Sequence, residues 1–247
     1  MHVFITGASS GIGESLAKEF SKKAEKLTLI ARRKDRLETL SGKLKAKINI
    51  EICDLSDPQK ALAAYENSIK LNGNIDILVN NAGMTYFGSV LEMPRSEMEK
   101  MINLNYVTPM LLMGQAAKDM SERKSGSIIN ISSVSAKTPL PILAVYSSTK
   151  IGLSTASDMY RAQLKKFGVH VLTVYPGPIH TEMEDVARSQ NPGNQMMDAL
   201  PAGEPDMLAR LIIDAIEKKK NELFYPGIYG AVDVFPAAIK WLTEKLG

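Results

Sequence analysis

Tyr146 and Lys150 stand four residues apart, and Ser133 precedes the tyrosine by thirteen. Residues at this spacing on a helix share a face, so a phenol and an ammonium can point into one cleft. A free phenol has a pKa of about 10 and exchanges its proton poorly at neutral pH. A fixed cation beside it stabilises the phenolate and draws that pKa towards the working range. The Ser133 hydroxyl can then hydrogen-bond the same substrate oxygen. These residue types at these intervals suit the movement of a proton on and off a carbonyl or alcohol oxygen. Such a reaction also needs a hydride carrier, and the glycines near the start of the chain point to one.

Thr6, Gly7, Ala8, Ser9, Ser10, Gly11, Ile12 and Gly13 follow a strand-like run and open a helical one. Glycines permit the tight turn and let the backbone approach a pyrophosphate, which then sits at the positive end of the helix. Their spacing is G-x3-G-x-G rather than G-x-G-x-x-G. After the second strand, where an acidic residue would hold a ribose 2′-hydroxyl, the chain carries Arg32 and Arg33. A guanidinium suits a 2′-phosphate, so NADP(H) is expected in preference to NAD(H). Asp35 keeps NAD(H) open, and both arginines can equally be surface residues at the start of a charged helix. Asp54 and Leu55 follow the third strand, where a carboxylate can accept from an adenine amino group; Asp54 can also serve near a helix start, although Asp57 before Pro58 is the better cap. Asn81, Ala82 and Gly83 follow the fourth strand. Small residues there let the backbone run close to a cofactor, and the Asn side chain can tie neighbouring loops together.

Short apolar runs alternate with helical patterns along the chain. Strands are expected over Val3–Thr6, Leu27–Ala31, Ile48–Cys53, Ile75–Asn80, Ser127–Ser132 and Val169–Tyr175. Helices are expected over Gly11–Lys23, Lys34–Leu44, Pro58–Leu71, Ser96–Arg123 (as two helices) and Tyr146–Phe167. Near-continuous apolar strands such as LTLIA and IDILV suit a parallel sheet covered on both faces. The succession predicts an α/β fold with a doubly wound, Rossmann-type parallel sheet and right-handed crossovers. We expect one domain over residues 1–247: a cofactor-binding and catalytic core over 1–181, then a substrate loop and C-terminal extension over 182–247. In that extension VARSQNPGNQMMDALPAGEP reads as a long loop or short helices, Glu204–Lys219 as a helix, ELFYP as a short strand and Pro236–Leu246 as a terminal helix.

Composition excludes several classes. The 247 residues are 45% hydrophobic with 30 basic against 27 acidic side chains, a net charge of +3. No basic run is flanked by stacking aromatics, so no nucleic-acid partner is expected; Lys218–Lys220 reads as a solvated helix end. Three histidines and no ligand cluster predict no metal, and His180 receives no role. The single cysteine, Cys53, excludes an intrachain disulfide and reads as a small buried hydrophobe. No stretch reaches the roughly 20 apolar residues of a transmembrane helix, and the strand-like start leaves no room for a signal peptide. The expected location is cytoplasmic.

TGASSGIG, NNAG at 80–83, YSSTK at 146–150, the interval from Ser133 to Tyr146 and PGPIHT at 176–181 together resemble the short-chain dehydrogenase/reductase family. The likeness runs from His2 to about Thr181 and weakens beyond. It implies that Tyr146 is the general acid/base, that Lys150 lowers its pKa and also binds the nicotinamide ribose, and that Ser133 orients the substrate oxygen. It implies that Asn105 holds a water in a proton relay, with Asn103 competing, and that Pro176, Gly177, Ile179 and Thr181 border the nicotinamide. Ser132 competes with Ser133, but side chains alternate along a strand and the spacing favours Ser133; Ser135 reads as a loop residue. The resemblance further implies a homo-oligomer, a dimer or tetramer, built on the long fifth and sixth helices.

The expected partner is a small-molecule carbonyl/alcohol pair. Leu140, Pro141, Ile142, Leu143, Met183, Met196 and Met197 can line an apolar, adaptable pocket for a hydrophobic ketone or an acyl-chain carbonyl, or else serve as packing residues. A rival of another class is an NADP(H)-binding sensor or scaffold without significant turnover. FPAAIKWLTEKLG is short and mildly amphipathic, and docking on the protein body or a partner subunit is expected of it rather than membrane association.

Overall fold

Apolar runs buried at nearly every position, and so on both faces, dictate the architecture. In the computed structural model, which describes residues 1–86, 90–138, 140–190 and 201–230, these runs become β1 (His2–Thr6), β2 (Lys26–Ala31), β3 (Lys47–Ile52), β4 (Ile77–Asn80), β5 (Gly126–Ile131), β6 (Val169–Pro176) and β7 (Glu222–Tyr225). They form one parallel sheet in the order β3-β2-β1-β4-β5-β6-β7. In register, Ile5 of β1 pairs with Leu29 of β2 and Val79 of β4.

The helices are α1 (Gly11–Phe20), α2 (Lys34–Ser41), α3 (Pro58–Asn72), α4 (Arg95–Ile102), α5 (Thr108–Arg123), α6 (Ala144–Leu164), α7 (Glu182–Gln190) and α8 (Pro205–Glu217). Val3, Ile5, Leu29, Val79 and Leu172 face one side of the sheet and pack with Leu16 and Phe20 of α1, Leu37 of α2 and Leu208 and Ile212 of α8. Phe4, Ile30, Leu78, Ile128 and Val171 face the other and pack with Tyr65 of α3, Leu112, Met113 and Ala116 of α5 and Leu153 of α6. Each such aliphatic side chain contributes about 1.5–3 kcal/mol on burial, and both faces being dry explains the near-continuous apolar strands.

Chain direction reverses its progress across the sheet between β1 and β4. At that switch point the carboxyl ends of the strands part and leave a crevice, the usual ligand position in such sheets.

The local structure follows the expected elements, with details that have physical causes. Residues 95–123 form two α-helices joined without a break by a π-helical turn, Asn103–Val107. Pro109 has no N–H to give the carbonyl four residues back, and the widened turn absorbs the missing bond. The segment after β6, expected as loop or short helices, holds α7, and Ile179 bridges Gly203 in parallel. Asp57 caps α3, its carboxylate accepting from Lys60 N–H at 3.1 Å. Cys53 is buried, which pushes its thiol pKa up. The expected terminal helix Pro236–Leu246 lies outside the described residues. No helix among the described residues is long and apolar enough to cross a membrane.

Candidate active site

β1 delivers the chain directly into the glycine loop. Thr6 Oγ1 donates to the Val79 carbonyl at 3.1 Å and accepts from the Asn81 and Ala82 N–H groups at 2.9 and 3.0 Å. Asn81 Nδ2 returns to the Thr6 carbonyl at 2.9 Å, so the loops after β1 and β4 are tied edge to edge. Gly7 and Gly11 have φ of +68° and +55°, the left-handed region that glycine enters at little cost. A Cβ on Gly13 would collide with the Gly7 carbonyl oxygen and lie 2.5 Å from Asn81 Nδ2. Thr6 and Gly13 shape the loop from behind, whereas Gly7, Ser9, Ser10, Gly11 and Ile12 line the cleft.

Ser10 is the N-cap of α1 yet makes no capping bond; its hydroxyl accepts from Arg33 Nη2 at 2.6 Å. The first-turn N–H groups of α1 are thus left facing a cleft lined by Gly7, Ser9, Gly11 and Ile12. That set of donors, at the positive end of a helix and with no Cβ in the way, fits a pyrophosphate.

The cavity, of about 710 Å³, runs from this cradle in two directions. One end carries Arg32, Arg33, Asp54 and Leu55. Asp54 accepts from Ser56 N–H and Oγ at 3.0 and 2.8 Å, and the backbone bond leads in holding its carboxyl below the usual range. Asp35, exposed in the first turn of α2, is not part of the lining. The other end carries Ala82, Gly83, Ser133, Tyr146, Lys150, Pro176, Gly177, Ile179 and Thr181.

Ser132 and Ser133 separate as alternation requires. Ser132 Oγ lies 2.8 Å from Ser154 Oγ and donates to the Lys150 carbonyl at 3.1 Å, turned into α6. Ser133 lines the cavity beside Tyr146, and its hydroxyl accepts from Ser135 N–H at 3.1 Å. Lys150 is buried and its Nζ donates to the Ile131 carbonyl at 2.8 Å. Burial lowers its pKa to about 8. Burial likewise pushes the Tyr146 phenol up; the neighbouring Ser133 hydroxyl opposes this and the Glu184 carboxylate adds to it. Lys150 is buried, while Tyr146 is half-buried beside the cavity.

Asn105 sits fully buried in the π-helical turn. Its Oδ1 accepts from Met84 N–H, and its Nδ2 donates to the Met84 carbonyl, both at 2.9 Å, and to Thr149 Oγ1 at 3.2 Å. It braces the loop after β4 from behind the cavity lining. A Cβ on Gly83 would stand 3.3 Å from Asn105 Oδ1 and 3.6 Å from Lys150 Nζ, so Gly83 is what lets these groups approach.

Of the expected apolar wall, Leu140, Ile142, Leu143 and Met183 line the cavity and Pro141 is exposed; Met196 and Met197 lie outside the described residues. Three groups escaped the sequence reading. Glu184 lines the cavity, paired with Arg188 at 2.9 Å. Tyr229 covers Gly177, where a Cβ would collide with its ring, and donates to the Pro201 carbonyl at 3.0 Å. Glu182 reaches Arg33 and Arg36. Only the i, i+4 spacing of Glu184 and Arg188 was visible as a signal. His180 is exposed, 3.7 Å from Glu204, and the described residues hold no cluster of metal-ligating side chains.

A family model described as short chain dehydrogenase matches residues 1–192. Dehydrogenase/reductase SDR family member 7B of Xenopus laevis is 30% identical over 245 residues, covering 94% of this chain and 76% of its own. Among solved structures, a short-chain dehydrogenase from Sphingobium yanoikuyae in complex with NADPH has a TM-score of 0.84 at 28% identity, covering 98% of this chain and 95% of that one. A bulky-bulky ketone specific alcohol dehydrogenase from Comamonas testosteroni has a TM-score of 0.81 at 25% identity, with 99% and 94% covered.

Proposed function

The chain belongs to the short-chain dehydrogenase family, and on that premise we propose that it is an NADP(H)-dependent oxidoreductase interconverting a carbonyl and an alcohol. The observation that carries this is one continuous cavity joining the glycine cradle and Arg33 at one end to Ser133, Tyr146 and Lys150 at the other. The NADPH complex of the Sphingobium relative supports the choice of cofactor, as does the pair Arg32–Arg33 where a carboxylate would favour NAD(H).

Bound nicotinamide supplies or accepts hydride; the remainder falls to the protein. The glycine loop and the α1 N-terminus hold the pyrophosphate, Asp54 and Leu55 border the adenine, and Ala82, Gly83, Pro176, Gly177, Ile179 and Thr181 border the nicotinamide end. Ser133 donates to the substrate oxygen and Tyr146 gives up its phenolic proton to it in reduction, taking it back in oxidation. Lys150, held by the Ile131 carbonyl, offsets the phenolate charge and reaches towards the ribose. Asn105 positions this group through Met84 and Thr149. Substrate is a hydrophobic ketone or acyl-chain carbonyl, supported by the Leu140, Ile142, Leu143 and Met183 wall.

Assembly into a homodimer or homotetramer through α5 and α6 belongs to the same reading, supported by Ile151 and Met159, which stand exposed on α6. A cytoplasmic location is its companion, supported by the lone buried thiol.

The test is oxidation of NADPH and of NADH, followed by absorbance across a panel of aliphatic, cyclic and aromatic ketones. Turnover with at least one bulky ketone, faster with NADPH, is expected. Tight NADPH binding with no turnover on any carbonyl would favour the sensor instead.

A further inference from the structure

We infer that Glu182 is an internal stand-in for the cofactor's 2′-phosphate: its carboxylate bridges Arg33 and Arg36 in the free protein, and both guanidiniums exchange it for the phosphate, which makes Glu182 and Arg36 cofactor-specificity residues alongside Arg33. The inference rests on the NADP(H) reading above and adds to it a competitor and a second cation.

Glu182 Oε2 accepts from Arg33 Nη1 at 2.7 Å, and Oε1 accepts from Arg36 Nη1. One carboxylate therefore takes one donor from each of two guanidiniums, as an anion seated between them would. Arg33 is held independently: its Nη2 donates to Ser10 Oγ at 2.6 Å and Ser9 Oγ at 3.1 Å, and its Nε to Ser9 Oγ at 3.2 Å. These bonds fix the Arg33 fork at the mouth of the pyrophosphate cradle whether or not Glu182 is present.

The bridge is built to exchange. Arg33, Arg36 and Glu182 side chains are 39%, 42% and 52% exposed, and exposed ion pairs hold weakly. A phosphate monoester brings a charge of roughly −1.5 to −2 and three acceptor oxygens against one charge and two oxygens. A ribose with only a 2′-hydroxyl brings no charge and leaves Glu182 in place. Glu182 is the first residue of α7 and follows Thr181, whose methyl group would lie 2.9 Å from a Cβ on Gly11. Exchange therefore unties the start of α7, which carries Met183 and Glu184 of the substrate wall, from α2.

Calorimetric titration of the full chain at low ionic strength tests this, with adenosine 2′,5′-bisphosphate, adenosine 5′-monophosphate, NADP+ and NAD+ as probes. Glu182→Gln should tighten the bisphosphate and NADP+ roughly two- to fivefold, the scale of an exposed ion pair, and leave the monophosphate and NAD+ unchanged. Adding Arg36→Ala to Glu182→Gln should weaken the bisphosphate and NADP+ alone. If Glu182→Gln weakens NADP+ or leaves it unchanged while wild type still prefers NADP+ to NAD+, this inference fails and the cofactor reading stands. If Arg36→Ala has no effect in that background, Arg36 serves Glu182 only and its specificity role is overturned. Wild type without preference for NADP+ would overturn both. Matching thermal unfolding midpoints confirm that the variants fold.

Discussion

Lys150 Nζ stands 5.7 Å from the centre of the Tyr146 ring, with one proton already committed to the Ile131 carbonyl at 2.8 Å. The cation is close enough to stabilise a phenolate yet anchored by backbone, so it cannot follow the tyrosine if the phenol swings away. A buried ammonium with a pKa of about 8 against an ordinary 10.5 also costs the folded state.

That cost has a pH signature. Between about pH 8 and 10.5 the unfolded chain holds the Lys150 proton more firmly than the folded one, so stability rises with pH across this window. Below it the full penalty applies, a few kcal/mol at about 1.36 kcal/mol for each tenfold loss of proton affinity, and above it none remains. Lys150→Met removes the titration. Chemical unfolding of both proteins from pH 7 to 11 should show Lys150→Met most favoured relative to wild type at the low end, with the difference changing in wild type's favour through the window. A difference constant with pH would contradict the assigned burial of the charge.

Glu184 offers a second handle. Burial is the larger cause of the raised Tyr146 phenol, but the Glu184 carboxylate contributes in the same direction. Glu184→Gln removes that contribution and leaves Arg188 behind, so the phenol should ionise at lower pH. In the alcohol-oxidising direction, which needs the phenolate, the rising limb of the pH–rate profile should move to lower pH. A limb that stays in place would show that Glu184 does not act on Tyr146.

Gly13 is packed against the Gly7 carbonyl and Asn81, backbone and side chain that Thr6 in turn secures. Gly13→Ala must push these apart, and overpacking of this kind costs about 1–3 kcal/mol. A lowered thermal midpoint together with weakened dinucleotide binding is expected. Unchanged melting and binding would mean that the close packing is dispensable.

Much of this was legible because local chemistry and global fold agree. Apolar β-branched runs such as IDILV can only be buried between two helical layers, so the parallel sheet followed from pattern alone; its edges shifted by a residue or two where strands fray. Spacing favoured Ser133 over Ser132, and the extended backbone after β5 turns the two side chains apart, Ser132 into α6 and Ser133 towards the cavity. Sequence cannot tell a residue that touches a ligand from one that holds the loop touching it, and Thr6, Gly13 and Asn105 each hold such a loop through hydrogen bonds or close packing. The Arg33–Glu182 and Arg36–Glu182 pairs join residues nearly 150 positions apart, across the whole sheet topology, and no local period announces them. Glu184 could be seen as a partner for Arg188 but not as a cavity residue, because where α7 lies depends on the Ile179–Gly203 bridge.

The most direct test of the account is Tyr146→Phe, assayed for carbonyl reduction by NADPH and, separately, for NADP+ affinity. Loss of the phenolic proton donor should lower turnover by about 10²–10⁴-fold, the usual worth of a positioned acid/base, while NADP+ affinity stays near that of wild type. Turnover close to wild type in this variant would contradict the assignment of proton transfer to Tyr146.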